Sequence, residues 1–240
     1  MAQQHVLVTG GTSGIGRAIA EAFAREQSLV TVTGRTDRDV TNFLAHPRTE
    51  IEISARRMDV TEASDIAAVF RGQDRLDVLI NAAGTILREG RELEPDGFEA
   101  VVDVNLVGTM RVCTAACELL FTSSGCVINI ASMLSFFGSG YVPAYSASKG
   151  GIVQLTKSLA IAWAAKGVRV NAIAPGWIET AMTAPLVADP ARREAIIART
   201  PLARWGQPED VAGAALFLAS PAAAYITGIV LPVDGGYSAA

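Results

Sequence analysis

His5-Val6-Leu7-Val8-Thr9, followed at once by Gly10-Gly11-Thr12-Ser13-Gly14-Ile15-Gly16, is the stretch on which the fold of this chain turns. Five residues rich in β-branched and apolar side chains read as a strand, and an amphipathic segment from about Gly14 to Arg25 reads as a helix. Between them the glycines let backbone approach a bound group closely, and the unpaired N–H groups of the helix start point at it. A strand, a tight glycine turn and a helix N-terminus together make an anion site of the kind that holds a pyrophosphate. The spacing is T-G-x-x-x-G-x-G rather than G-x-G-x-x-G, and a plain strand-to-helix turn would need only two of the glycines.

The rhythm continues outward. Leu29–Thr33, part of Ile51–Met58, Val78–Asn81, Cys126–Ile130, Val168–Ile173 and Ile229–Val233 complete a set of seven strands. Glu99–Leu120, Tyr145–Lys166 and Pro208–Ala219 have the length and composition of helices between them. Near-continuous apolar strands alternating with helices imply an α/β fold, a parallel sheet covered on both faces. Seven strands use all of residues 1–240 and leave no room for a second domain. Asp37–Glu50 is the least regular stretch, Thr61–Leu76 has room for only a short helix, and 180–207 falls outside the rhythm. A long irregular segment in a compact domain is commonly a lid, so 180–207 is expected to cover a substrate site.

Composition excludes several classes. Half of the 240 residues are hydrophobic and 18% are charged, which rules out a disordered chain. A net charge of −4 argues against nucleic-acid binding. Val211–Val233 carries no charge and is long enough to span a bilayer, but Pro221 and Pro232 divide it into a buried helix, a turn and a strand, so no membrane association is expected. With only His5 and His46, a serine hydrolase triad or a histidine-rich metal site has little to draw on. Cys113, Cys117 and Cys126 are too few for a disulfide framework and make a poor zinc site, so they read as small buried fillers, and a cytoplasmic location and no metal are expected.

Two features carry chemistry. The second strand ends on Gly34-Arg35-Thr36, where an acidic residue would hold a ribose 2′-hydroxyl; Arg35 instead suits a 2′-phosphate. NADP(H) is therefore favoured, with NAD(H) left open by the nearby Asp37. Tyr145 and Lys149 stand one helical turn apart on one face. An ammonium beside a phenol stabilises the phenolate, and lowering its pKa by about 2–3 units takes roughly 3–4 kcal/mol. Lys149, Lys157 and Lys166 are the only lysines among 20 basic residues, which sets this pair apart from a surface pair. Ser132 closes the strand before Tyr145, where its hydroxyl could meet a substrate oxygen.

TGGTSGIG at 9–16, Asp59-Val60, NAAG at 81–84, Asn105, Ser132, YSASK at 145–149, NAIAPG at 171–176 and VDGGY at 233–237 occur in this order over the whole chain. In these motifs the sequence resembles the short-chain dehydrogenase/reductase family in its short, single-domain form. The resemblance implies a Rossmann-like doubly wound sheet and hydride transfer between a nicotinamide cofactor and a secondary alcohol or ketone. It gives Tyr145 the role of general acid/base. Lys149 would bind the nicotinamide ribose and lower the tyrosine pKa. Ser132 would orient the substrate oxygen, and Asn105 would help hold a relay water. Around the cofactor it places Gly10, Thr12, Ser13, Gly14, Ile15, Gly16, Arg35, Asp59, Val60, Asn81, Gly84, Tyr145 and Lys149. Pro175, Gly176, Ile178 and Thr180 would flank the nicotinamide. Two departures, at Glu26-Gln27-Ser28 and in the short 61–76 segment, leave the catalytic set untouched.

INIASMLSF at 128–136 and VPAYSASK at 142–149 resemble the bacterial sugar-acid branch, gluconate and 2-deoxy-3-keto-gluconate 5-dehydrogenases. ARWGQPEDVAGAALFLAS at 203–220 is also similar to 3-oxoacyl-ACP reductases. A sugar-acid carboxylate would need a cation, and Arg88, Arg192 and Arg204 are the candidates. A third reading, from another class, is a regulatory protein that binds NADPH without turnover. The family commonly forms homotetramers through the two long helices, at about 105–120 and 145–166, and through the C-terminal helix and strand; the two long helices here are apolar around much of their circumference.

Overall fold

The computed structural model describes residues 3–240. Seven parallel strands form its centre: β1 (His5–Thr9), β2 (Leu29–Gly34), β3 (Ser54–Arg57), β4 (Val78–Asn81), β5 (Cys126–Ile130), β6 (Arg169–Pro175) and β7 (Val230–Val233). Their order is β3-β2-β1-β4-β5-β6-β7, so the chain reverses direction across the sheet between β1 and β4. Loops leaving the C-terminal ends of these two strands diverge, and the crevice between them is the ligand position in doubly wound sheets. The seven-stranded single-domain reading holds.

The helices are α1 (Gly14–Arg25), α2 (Asp37–Ala45), α3 (Ala63–Phe70), α4 (Pro95–Val102), α5 (Gly108–Ser123), α6 (Pro143–Trp163), α7 (Ala184–Val187), α8 (Pro190–Arg199) and α9 (Pro208–Ala219). Strand side chains alternate between two cores. Val6, Val8, Val78, Ile80, Cys126 and Ile128 join Ile19 and Phe23 of α1, Phe43 of α2 and Val211, Ala215 and Leu218 of α9 on one face. Leu7, Leu79, Val127 and Val170 point the other way, onto Ile66 and Val69 of α3, Val112 and Leu120 of α5 and Leu159 of α6. This is the two-residue period of a strand buried on both faces.

The structure differs from the sequence reading in three places. Asp37–Glu50 contains α2, whose N-terminus is fixed by reciprocal hydrogen bonds between Thr36 and Asp39. The helix expected over Glu99–Leu120 runs from Pro95 to Ser123, with a wider π turn at Asp103–Val107 in which the Gly108 N–H bonds to the Asp103 carbonyl. The 180–207 segment holds α7 and α8, the latter capped by Asp189, which accepts from the N–H groups of Ala191 and Arg192. The uncharged 211–233 stretch is, as expected, the end of a 12-residue helix, a turn and a strand.

Both margins of the sheet are short. β3 reads Ser-Ala-Arg-Arg, and β7 bonds to β6 through Ile229 O and Val233 O, with Pro232 between them.

Candidate active site

Thr9 ties the switch point together: its hydroxyl accepts the N–H groups of Ala82 (3.2 Å) and Ala83 (3.1 Å), joining the end of β1 to the loop after β4. Gly10 follows with φ of +64°, and a Cβ there would stand 2.8 Å from the Ala83 backbone. Only glycine meets both demands. At the end of β2 a Cβ on Gly34 would stand 2.8 Å from Asp39 and 2.9 Å from Thr12. These missing side chains open a cleft of about 410 Å³ over the C-terminal ends of β1, β2 and β4.

Gly10, Thr12, Ser13, Gly14, Ile15, Gly16, Arg35, Asp59, Val60, Gly84, Tyr145, Lys149 and Thr180 line that cleft together. The sequence reading missed Gly34, Asp39, Met58, Ala82, Ala83, Thr85, Val104, Ile130, Ala181 and Met182, which also line it. Most of these carry no distinctive chemistry, and only the end of each neighbouring strand marks them. One floor is glycine backbone at a helix start, one end carries the exposed Arg35, and the far end carries Tyr145 and Lys149. The residues fit a dinucleotide: pyrophosphate at the helix N-terminus, ribose phosphate toward Arg35, reacting ring toward the tyrosine. Asp39 shares the Arg35 end, with one carboxylate oxygen held by the N–H (2.9 Å) and hydroxyl (2.7 Å) of Thr36.

Four residues expected at the cofactor, Asn81, Pro175, Gly176 and Ile178, do not line this cleft. Asn81 is buried beneath the cleft, where its amide donates to Asn129 Oδ1 (2.9 Å) and Cys113 Sγ (3.3 Å). Asn129 in turn donates to the Thr156 hydroxyl at 2.9 Å. This polar chain bolts β4 and β5 to α5 and α6, so Asn81 supports the site without reaching it. Pro175 closes β6 and Gly176 donates to Val233 O (3.0 Å), so these two brace β6 against β7, while Ile178 is buried beside Gly206 and pins the loop before α9. Of the flanking group, Thr180 alone reaches the cleft, 3.5 Å from where a Gly14 Cβ would lie.

The catalytic candidates converge on α6. Ser132 sits at the end of β5, where its hydroxyl is near enough to the Tyr145 phenol to favour the phenolate. Lys149 lies one turn along, its Nζ 2.6 Å from the Ile130 carbonyl and 5.6 Å from the centre of the Tyr145 ring. Asn105, in the π turn, accepts from the Thr85 N–H (2.8 Å) and donates to Thr85 O and the Ser148 hydroxyl, both at 3.0 Å. Its side chain thus holds the loop after β4 against α6.

Burial governs the titrations here. Loss of hydration pulls Lys149 from 10.5 down to about 8. It pushes Tyr145 above its ordinary 10, with the Ser132 hydroxyl opposing and the Glu92 carboxylate adding to the rise. In this structure desolvation of the phenolate outweighs the lowering expected from Lys149, whose ammonium gives one of its three N–H groups to the Ile130 carbonyl. Cys113 and Cys126, pushed by burial to about 12 and 11, are inert fillers as read.

Two of the arginines considered for a substrate carboxylate are already paired. Arg204 grips Asp210 with two nitrogens (2.6 and 2.8 Å), and Arg192 pairs with Asp189 at 3.3 Å. Arg88 is half-buried and donates to the Met182 carbonyl at 2.6 Å, from the loop after β4 to the segment after β6.

A glycine-floored cleft at the switch point, closed at one end by a tyrosine and a lysine with a serine beside them, defines a dinucleotide-dependent oxidoreductase. A family model described as enoyl-(acyl carrier protein) reductase matches residues 10–238, and the chain belongs to the short-chain dehydrogenase/reductase family. It is 44% identical over 237 residues to the 2-dehydro-3-deoxy-D-gluconate 5-dehydrogenase of Bacillus subtilis (strain 168), covering 96% of this chain and 93% of that protein. The 3-oxoacyl-[acyl-carrier-protein] reductase of Synechocystis sp. is 40% identical over 244 residues, covering 97% of this chain and 96% of that one. The crystal structure of a gluconate 5-dehydrogenase from Burkholderia cenocepacia in complex with NADP and tartrate superposes with a TM-score of 0.90 at 31% identity, over 100% of this chain and 97% of that one.

Proposed function

We propose that this enzyme uses NADP(H) to interconvert a ketone and a secondary alcohol on a small sugar acid. The observation that carries the substrate class is Arg88, which has no carboxylate partner among the described residues and bridges the two segments beside the catalytic end. The name of the Bacillus relative and the NADP and tartrate of the Burkholderia structure point the same way. When bound, the cofactor supplies or accepts the hydride.

The side chains do the rest. Tyr145, raised by burial, holds its proton at neutral pH and is the acid that donates it to the oxygen developing negative charge during carbonyl reduction. Ser132 orients that oxygen. Lys149, at about 8, keeps most of its charge at pH 7 and offers an ammonium to the nicotinamide ribose. Asn105 holds the wall against α6 on the cofactor side. Arg35 is assigned to the 2′-phosphate. Residues 180–207 form a lid: Met182 lines the cleft, and no residue of α8 is buried.

The assembly proposed is a homotetramer in the cytoplasm. Phe98, Val107, Met110 and Ile161 are exposed on the α4–α6 layer, Ile161 at 81%, and Phe217 is exposed on α9, as a helix–helix interface requires. The three cysteines are unpaired, which suits a reducing compartment. Sedimentation giving a stable monomer at micromolar concentration would count against the tetramer.

A panel of sugar acids, 3-oxoacyl thioesters and simple ketones, followed at 340 nm with both cofactors, tests the function. Keto sugar acids should exceed the other classes by about tenfold or more in kcat/KM. Thioesters leading the panel would reverse the substrate assignment, and NADPH binding with no turnover anywhere would mark a binding protein. Arg35→Ala should cut the NADPH-over-NADH ratio by about tenfold or more, and an unchanged ratio would defeat that assignment.

A further inference from the structure

We propose that Glu92 is a positioning residue for Tyr145, clamping the start of the catalytic helix to the loop after β4 and holding a negative charge next to the acid/base. The inference rests on the acid/base reading of Tyr145. Glu92 is 1% exposed and lies in the turn before α4. One of its oxygens accepts the Leu87 N–H (2.8 Å), the other the Tyr145 N–H (2.9 Å).

Tyr145 is the third residue of α6, so its N–H belongs to the first turn and has no carbonyl partner within the helix. A carboxylate there satisfies an orphan donor and lies at the favourable end of the helix dipole. Among the described residues no lysine or arginine pairs with it. Only a carboxylate offers an acceptor on both sides; a glutamine would turn an N–H toward one of the two donors.

A second strap runs in parallel. Asn105 grips Thr85 and donates to the Ser148 hydroxyl, which donates to Tyr145 O at 2.8 Å. Both main-chain groups of Tyr145 are thus anchored, by side chains that also hold residues 85 and 87. The groups around Tyr145 that act on its phenol are Lys149 on its own helix, the Ser132 hydroxyl from the end of β5 and, through its charge at the main-chain N–H, Glu92 from the turn before α4. Of these Glu92 is the anion, and it biases Tyr145 toward the protonated, proton-donating form.

The test is Glu92→Gln, read by NMR of tyrosine labelled with ¹³C at Cζ. The chain has four tyrosines, and the Tyr145 signal is assigned by its loss in Tyr145→Phe. The Tyr145 titration should move down by at least ~0.5 unit, and kcat for NADPH reduction of a 5-keto sugar acid, 5-dehydro-D-gluconate, should fall about fivefold, with KM for NADPH within about twofold. A purely structural residue would lower stability and leave the titration in place, so a titration superposing on wild type overturns the proposal. Should Glu92→Gln not fold, Glu92→Asp decides: it keeps the charge but draws it back from the Tyr145 N–H. A titration held near wild type with a lower kcat supports the clamp, and an unchanged kcat overturns it. A Tyr145→Phe enzyme that keeps its rate would remove the acid/base reading alone, because the NMR titration reports the Glu92 coupling without turnover.

Discussion

Replacing Lys149 with methionine keeps the length of the stem, removes the ammonium, and should produce a dead enzyme that is more stable than the wild type. Burial takes this lysine from 10.5 to about 8. A depression of that size disfavours the folded state by about 3 kcal/mol wherever both states carry the proton, which is below about pH 8. Between pH 8 and 10.5 the unfolded chain keeps the proton after the folded chain has lost it. Wild-type stability therefore climbs with pH across that window, and the penalty is gone above it. From pH 7 to 9.5 the recovery is about 2 kcal/mol. Against this, the variant loses the bond to the Ile130 carbonyl, about 1–2 kcal/mol. The expected net gain at pH 7 is about 2 kcal/mol, or roughly 4–8 °C in Tm for a chain of this size. Urea unfolding of both proteins at pH 7, 8, 9 and 9.5 and equal protein concentration reads the difference, and groups common to both cancel. The variant's advantage should shrink by about 2 kcal/mol across the series and vanish near its end. A gap that stays constant with pH would refute the reasoning, because the lysine would then not be held in a desolvated site. Activity should fall by at least ~100-fold.

Two more outcomes follow from the same geometry. With Tyr145 held above its ordinary pKa, carbonyl reduction should run best near neutral pH and alcohol oxidation should keep rising into the alkaline range; pH profiles of kcat/KM in both directions check this, and Tyr145→Phe should lose about 10²–10⁴ in rate. Asn129→Ala strips the partner from both Asn81 and Thr156 and leaves a buried hole, costing about 2–4 kcal/mol, visible as a fall of roughly 5–15 °C in Tm without a change in cofactor preference.

The five inner strands were legible because they are buried on both faces and read as apolar runs between turns, whereas β3, mostly exposed and reading Ser-Ala-Arg-Arg, was the least distinct of the seven. The helices that escaped notice are those whose stability is not written in apolar periodicity. α2 buries a single residue, Phe43, and its start depends on the Thr36–Asp39 exchange; α8 buries none and starts on the Asp189 cap and Pro190. In the site, residues whose chemistry is local could be read directly: the glycines, Tyr145 and Lys149 all meet in one cleft. Residues whose role depends on distant partners could not. Asn81 stands beside the cofactor loop in sequence, yet its partners are Cys113 and Asn129, and no spacing rule reveals such a pairing. Glu92 carries no motif, and its importance appears only when the loop after β4 is folded against α6. The sign of the Tyr145 shift also depended on burial, which the helical spacing of Tyr145 and Lys149 does not report.

The margins of the sheet bear on how this protein behaves when crowded. Ile229 and Val233 bond inward to β6, so by alternation the backbone of Pro232 faces outward, and the N–H that proline lacks is the one another strand would need. At the opposite margin β3 is four residues long, with Arg56 bound to the Val69 carbonyl and Arg57 paired with Asp65. A sheet whose interior is almost wholly apolar is thus closed by one strand that cannot accept a full ladder and one fenced by cations. Edge-to-edge strand pairing between copies, the contact from which fibrils grow, is thus disfavoured at both margins.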